Sequence, residues 1–144
     1  MLSALGHVTG SPPDLLAAAS SNVIAAMRAH GDRRLVMLAP PSVEDQQDRR
    51  GLFCRFARLA MPVMMRAATR DHKAQSRLVK DSGLDWTIAR GAGAFTDGPH
   101  TGRYHAGPIT PAADRRVSRA DLAGFMLAAA SNGKFLHSLP LVSQ

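Results

Sequence analysis

The chain is poor in cysteine and in aromatic residues: 144 residues carry one Cys, one Trp, one Tyr and five Phe. Cys54 can neither close an internal disulfide nor share a zinc ion with a second thiolate, so the hydrophobic core must carry the fold unaided. Long apolar runs are also missing. The longest, such as Leu35 to Ala39, fall far short of the roughly 20 residues that cross a bilayer, which excludes a membrane-spanning helix. The amino-terminal stretch MLSALGHVTGSPPD lacks the basic start and extended apolar segment of a secretory signal, so the cytoplasm is the expected compartment. Acidic residues are almost absent between Arg49 and Lys80, where Asp71 alone faces nine basic residues. The whole chain has a net charge of +7, so the excess is concentrated there. Such a segment attracts phosphate groups or is a solvated helix face. What is present is a hydrophobic content of 45%, enough to build a core in one domain.

Helix punctuation recurs along the chain. In SPPDLLAAASSNVIAAMRAHG, Ser11 reads as an N-cap with Pro12 at the first helical position and Asp14 completing a capping box. Leu16, Ala19, Val23 and Met27 form one stripe, and Gly31 supplies the stop. A buried strand is expected directly afterwards, over Leu35 to Leu38. The second unit pairs DHKAQSRLVKDSG, with Ala74, Leu78 and Val79 on one side and Gly83 at its end, with a short strand over Trp86 to Ala89. Ser118 and Asp121 read as cap and third helical residue of another helix, with Leu122, Phe125, Met126 and Ala129 buried and Gly133 at its end. A basic amphipathic helix is expected in GLFCRFARLAMPVMM, ended or kinked by Pro62. Helices alternating with strands predict an α/β fold with a doubly wound parallel sheet, whose ligands lie beyond the carboxyl ends of the strands. The segments to inspect therefore follow LSA, LVMLA and WTIA.

At those segments the sequence resembles a known family. SALG, NVIAAMRAHGDRRLVML, DH, SGLDWTIAR, TDGPHTGRY and RVSRADLAGFML occur in the order and spacing of the atypical short-chain dehydrogenase/reductase superfamily. Within it they resemble the NAD(P)H-binding group that includes biliverdin-IXβ/flavin reductase and the NmrA-like proteins. The resemblance covers nearly the whole chain. It implies a single, partial Rossmann-like domain over residues 1–144, three layers deep, that holds NADP or NAD, with NADPH favoured. Ser3, Ala4, Leu5 and Gly6 match the segment along the ribose and nicotinamide, although as residues alone they read equally as a strand end and turn. Arg90, Gly91 and Ala92 match the run whose backbone meets the nicotinamide amide. His72 matches a lysine or histidine position that touches ribose hydroxyls, or else is a polar residue near the start of its helix. Phe95 and Tyr104 reach toward a substrate, or Tyr104 caps the end of the sheet. The other histidines, His7, His30, His100, His105 and His137, show no paired ligand spacing, so no metal site is expected.

Two departures from the family pattern bear on function. No TGxxGxxG-type turn occurs in the sequence, and the match begins near the family's fourth strand, so roughly the first third of that fold is expected to be missing. Ala39 and Pro40 stand where relatives have Ser or Thr, which removes the hydroxyl given a catalytic role there unless Ser42 replaces it. At about 25 cal/mol per Å², a few hundred Å² of uncovered apolar surface costs several kcal/mol. A homodimer or a separate amino-terminal half is therefore expected to cover the open edge. The expected activity is hydride transfer to a flat conjugated acceptor such as a flavin, with NADPH binding weak in this chain alone. The alternative is a non-enzymatic sensor or interaction protein. Nucleic-acid binding is the least supported reading, because only Phe53 and Phe56 accompany the basic segment.

Overall fold

The computed structural model describes residues 1–49, 63–110 and 116–144. The first half is built from two strand-helix-strand units. Strand β1 (Leu2–Ser3) leads through helix α1 (Leu15–His30) to β2 (Arg34–Ala39), and helix α2 (Val63–Lys80) then leads to β3 (Asp85–Gly91). Three short strands follow, β4 (Ala94–Thr96), β5 (His105–Gly107) and β6 (Arg116–Ser118), and the chain closes with α3 (Arg119–Asn132) and β7 (Leu141–Ser143). The main sheet has the order β1-β2-β3-β7-β5, parallel except for β5, which runs antiparallel to β7. A separate two-stranded parallel sheet joins β4 to β6.

Side-chain alternation along β2 and β3 sorts the core into two layers. Leu35, Met37, Trp86 and Ile88 point to one face, where they meet Ile24 and Met27 of α1 and Val79 of α2. Val36, Ala89 and Val142 point to the other, where Leu122, Phe125, Met126 and Ala129 of α3 cover them. The result is the expected three-layer, doubly wound arrangement. Arg34 ties the layers at one end: its guanidinium donates to Ala129 O of α3 at 2.6 Å and to Thr87 Oγ1 of β3 at 2.8 Å.

Several local expectations hold. Gly31, Gly83 and Gly133 all have positive φ at helix ends, and Ser118 Oγ accepts the Asp121 amide at 2.9 Å. Others do not. Helix α1 starts at Leu15 with Asp14 in the cap position and no side-chain cap bond of its own, while Ser11 Oγ takes only the Val8 amide. The buried stripe of α1 is Leu16, Ser20, Ile24 and Met27, not one through Ala19 and Val23. Among the α2 residues whose side chains are described, from position 68 onward, the buried positions are Asp71, Gln75, Ser76 and Val79, and Leu78 is exposed. Helix α2 also begins eight residues before Asp71, so Asp71 and His72 lie within the helix and not at its start. The basic helix expected from Gly51, and the role given to Pro62, fall outside the described residues. No helix of the described residues is long and apolar enough to cross a membrane.

Candidate functional site

Because β1, β2 and β3 are parallel, the segments that leave them emerge at one edge of the sheet. Ala4, Leu5 and Gly6 follow β1; Ala39 ends β2 and leads into Pro40 and Pro41; Gly91 ends β3 and leads into Ala92 and Gly93. These residues, with Leu38, His72 of α2 and Phe95 of β4, enclose a cleft of about 240 Å³. Its walls expose main chain. A Cβ at Gly6 or Gly93 would meet nothing within 4 Å, whereas one at Gly91 would fall 2.7 Å from the Phe95 ring. Glycine at position 91 is thus what lets that ring lie against the end of β3.

His72 supplies the one polar side chain among the described residues that line the cleft. Its burial disfavours the imidazolium and lowers its pKa below the ordinary histidine value; Gln75 and Asp71 oppose that shift and His7 adds to it. Gln75 Oε1 lies 3.4 Å from Nδ1. With Nδ1–H turned to that acceptor, neutral His72 keeps a lone pair on Nε2. The ring of His7 sits edge-on to it, with 6.1 Å between centroids.

Three loops of the fold are each held by a buried carboxylate. Asp71, on α2, accepts His7 Nε2 at 2.8 Å from the loop after β1, and also the amides of Leu16 at 2.8 Å and Ala17 at 3.0 Å. A side chain from a neighbouring helix therefore caps α1, complementing the positive end of its dipole. Asp48, in the loop after β2, grips Arg90 of β3 with both oxygens, at 2.6 and 2.8 Å. Desolvation raises the Asp48 pKa, but Arg90 and the amides of Ile109 and Asp45 outweigh it and bring it down to about 2. Asp121, completely buried on α3, takes the Thr101 amide at 2.7 Å, Thr101 Oγ1 at 2.9 Å and the Gly102 amide at 2.9 Å from the loop after β4. Burial pushes this carboxyl up as well, and those donors, Gly102 first, hold it well below the usual carboxylate range.

Nine residues singled out in the sequence meet at the cleft: Ala4, Leu5, Gly6, Ala39, Pro40, His72, Gly91, Ala92 and Phe95. Three do not line it. Ser3 lies within β1 opposite Met37. Tyr104 packs edge-on against Phe125, 5.9 Å between centroids, on the α3 side of the sheet. The guanidinium of Arg90 is completely buried and committed to Asp48, to Leu139 O at 2.8 Å and to Val43 O at 3.1 Å, so this side chain serves the scaffold. Sequence reasoning overlooked Leu38, Pro41 and Gly93 in the lining. It also overlooked His7, Asp48 and Asp71 as anchors, whose partners are 42 to 64 residues away. Ser42 does not join the lining, so no hydroxyl replaces the one missing at Ala39 and Pro40.

A doubly wound parallel sheet with a glycine-lined cleft at its carboxyl edge defines the Rossmann-like class of α/β proteins. The chain belongs to the NAD(P)H-binding family, whose model matches residues 2–133. Comparison with curated proteins gives no match. Among solved structures, a Bacillus halodurans protein provisionally named NAD-dependent epimerase/dehydratase superposes with a TM-score of 0.76 at 18% identity, over 99% of this chain and 63% of its own. A Streptococcus pneumoniae protein provisionally named NADH-flavin reductase gives 0.71 at 20% identity, over 99% of this chain and 70% of its own. A Veillonella parvula short-chain dehydrogenase/reductase in complex with NADP gives 0.69 at 16% identity, over 99% and 62%. The chain thus spans about two-thirds of the length of the proteins whose fold it shares.

Proposed function

We propose that the cleft receives the nicotinamide end of NAD(P)H, NADPH in preference, and that the protein is of the oxidoreductase type, passing hydride to a flat conjugated acceptor such as a flavin. The observation that carries this reading is the convergence of three parallel strand ends, two of them glycine-bearing, on one cleft beside His72 and Phe95. The fit is partial. Bare main chain at Gly6 and Gly93 lets a planar ring approach, and Leu5, Leu38, Ala92 and Phe95 give it an apolar surround. The cleft is nevertheless smaller than the roughly 300 to 1,000 Å³ of ordinary ligand sites.

The nearest helix start offers no cradle for the pyrophosphate, because Asp71 already occupies the Leu16 and Ala17 amides of α1. An anion there would be repelled by that carboxylate. Binding by this chain alone is accordingly weak. When bound, the cofactor supplies the hydride. Phe95 and the 91–93 main chain position the ring and keep water from one side, while Nε2 of neutral His72 accepts a hydrogen bond from a ribose hydroxyl.

The second reading, a non-enzymatic sensor, is favoured by the absence of any hydroxyl among the described lining residues. Steady-state reduction of a flavin by NADPH separates the two. Turnover above the buffer rate that falls in His72→Ala supports the reductase, and a rate equal to buffer supports the sensor. Isothermal titration giving micromolar NADPH affinity for the isolated chain would contradict weak binding.

A further inference from the structure

Helix α2 carries a second hollow, built from residues that the cleft does not use. Lys73, Ser76, Arg77 and Lys80 recur at helical spacing and, with Val43 and Glu44 from the loop after β2, enclose about 190 Å³. Among the described residues, the cationic groups of Lys73, Arg77 and Lys80 have no hydrogen-bond or ion-pair partner. Ser76 is only 4% exposed, and its Oγ has no partner either. A serine inside a helix usually returns its hydroxyl to the carbonyl one turn back. A buried hydroxyl that does not do so loses its water without compensation and calls for an explanation.

We infer that this hollow is a binding site for a phosphoryl group, with Lys73, Arg77 and Lys80 neutralising the anion and Ser76 Oγ–H donating to one of its oxygens. The charge balance selects the ligand class. Three cations on one helix face, with an unpartnered hydroxyl among them, suit a phosphate group, which carries about −1.5 to −2 at neutral pH and three acceptor oxygens, better than a carboxylate with a single charge and two oxygens. Arg77 offers a planar fork for two of the oxygens, and the serine needs to turn about only one torsion to face them. None of the described residues that line the hollow is aromatic and could stack a base, which sets a small phosphate or phosphomonoester above a nucleic acid.

The test uses the full chain at fixed low ionic strength, titrated with inorganic phosphate and, separately, with glycerol 3-phosphate, with binding read by calorimetry and by amide shifts around residues 43–44 and 73–80. Ser76→Ala is expected to weaken phosphate binding by about tenfold, as loss of one hydrogen bond to a charged group predicts, and Arg77→Gln by at least as much. Both variants are expected to melt at or above the wild-type temperature within a few degrees, since one removes an orphaned hydroxyl and the other an exposed charge. Tighter binding of glycerol 3-phosphate than of phosphate assigns the site to a phosphate-bearing metabolite, and equal binding assigns it to the free ion. The proposal is overturned if Ser76→Ala binds phosphate as tightly as wild type, or if affinity follows ionic strength alone and a DNA duplex binds with no dependence on Ser76.

Discussion

The starts of α1 and α3 flank the two sides of the sheet, and a buried aspartate sits at each, yet only the start of α1 is capped by an aspartate carboxylate. Asp121 acts locally: its amide is capped by Ser118, three residues back, while its carboxylate reaches 19 and 20 residues away to fix the Thr101–Gly102 turn. Asp71 acts wholly at long range, capping a helix 54 to 55 residues earlier in the chain and fixing His7. The first arrangement lets α3 start without help from the rest of the fold. The second couples the start of α1, and the loop after β1, to the docking of α2. Asp48 is an intermediate case, a loop carboxylate seated on the buried Arg90 of an adjacent strand.

Substitutions that remove each anchor test this contrast. The largest effect is expected from Arg90→Met, which leaves Asp48 buried and unpaired and strips Leu139 O and Val43 O of a donor; a loss of about 3–5 kcal/mol is expected in urea unfolding. Asp48→Asn added to it should cost far less than its own single-mutant value, because the pair is one unit. Asp71→Ala is expected to cost roughly 2–3 kcal/mol, from two amides left without partners and the loss of His7's acceptor. Hydrogen exchange should then speed up in the first turn of α1 and leave the first turn of α3 unchanged. Ser118→Ala should do the reverse at a cost of about 1 kcal/mol, fraying the start of α3 only.

Acid sharpens the same comparison. The Asp48 and Asp121 pKa values are depressed in the folded state, so their contribution is complete above the unfolded carboxylate value of about 4 and is lost as pH falls toward 2. Urea midpoints measured from pH 7 to pH 2.5 should decline below that value, and less steeply in Arg90→Met, which has already lost the Asp48 share. Gly91→Ala is expected to be the mildest change, about 1 kcal/mol or less, because the new methyl displaces the outer edge of the exposed Phe95 ring and needs only a few tenths of an ångström from Leu122 Cδ2, 3.2 Å away. Its effect should appear in ligand response at the cleft.

The same contrast explains what was legible in the sequence. Strands β2 and β3, the Ser118 cap, the buried face of α3 and the glycine stops all depend on neighbours within a few residues, and each was readable from spacing. So was the set of segments that meet at the carboxyl edge, because parallel topology alone brings them together. The start of α1 was misread because SPPD contains a complete local capping signal that loses to a carboxylate from another helix. The stripe on α2 was misread because its buried face carries Asp71, Gln75 and Ser76, polar residues whose burial makes sense only once their surroundings are known. Arg90 was placed at the ligand because it heads the run that resembles the family's nicotinamide-contacting segment, and nothing in its neighbourhood announces Asp48.

The central claim is that the strand-end cleft takes the nicotinamide end of the cofactor, while Asp71 denies the start of α1 to its phosphates. Titration of the isotopically labelled chain with NADPH, followed by amide and imidazole shifts, tests it most directly. The account predicts saturable shifts confined to Gly6, Gly91, Ala92, Gly93, Phe95 and the His72 ring, with affinity weaker than micromolar and the Leu16 and Ala17 amides unmoved. Micromolar affinity with large shifts at Leu16 and Ala17, or binding that leaves the cleft amides unmoved, would contradict it.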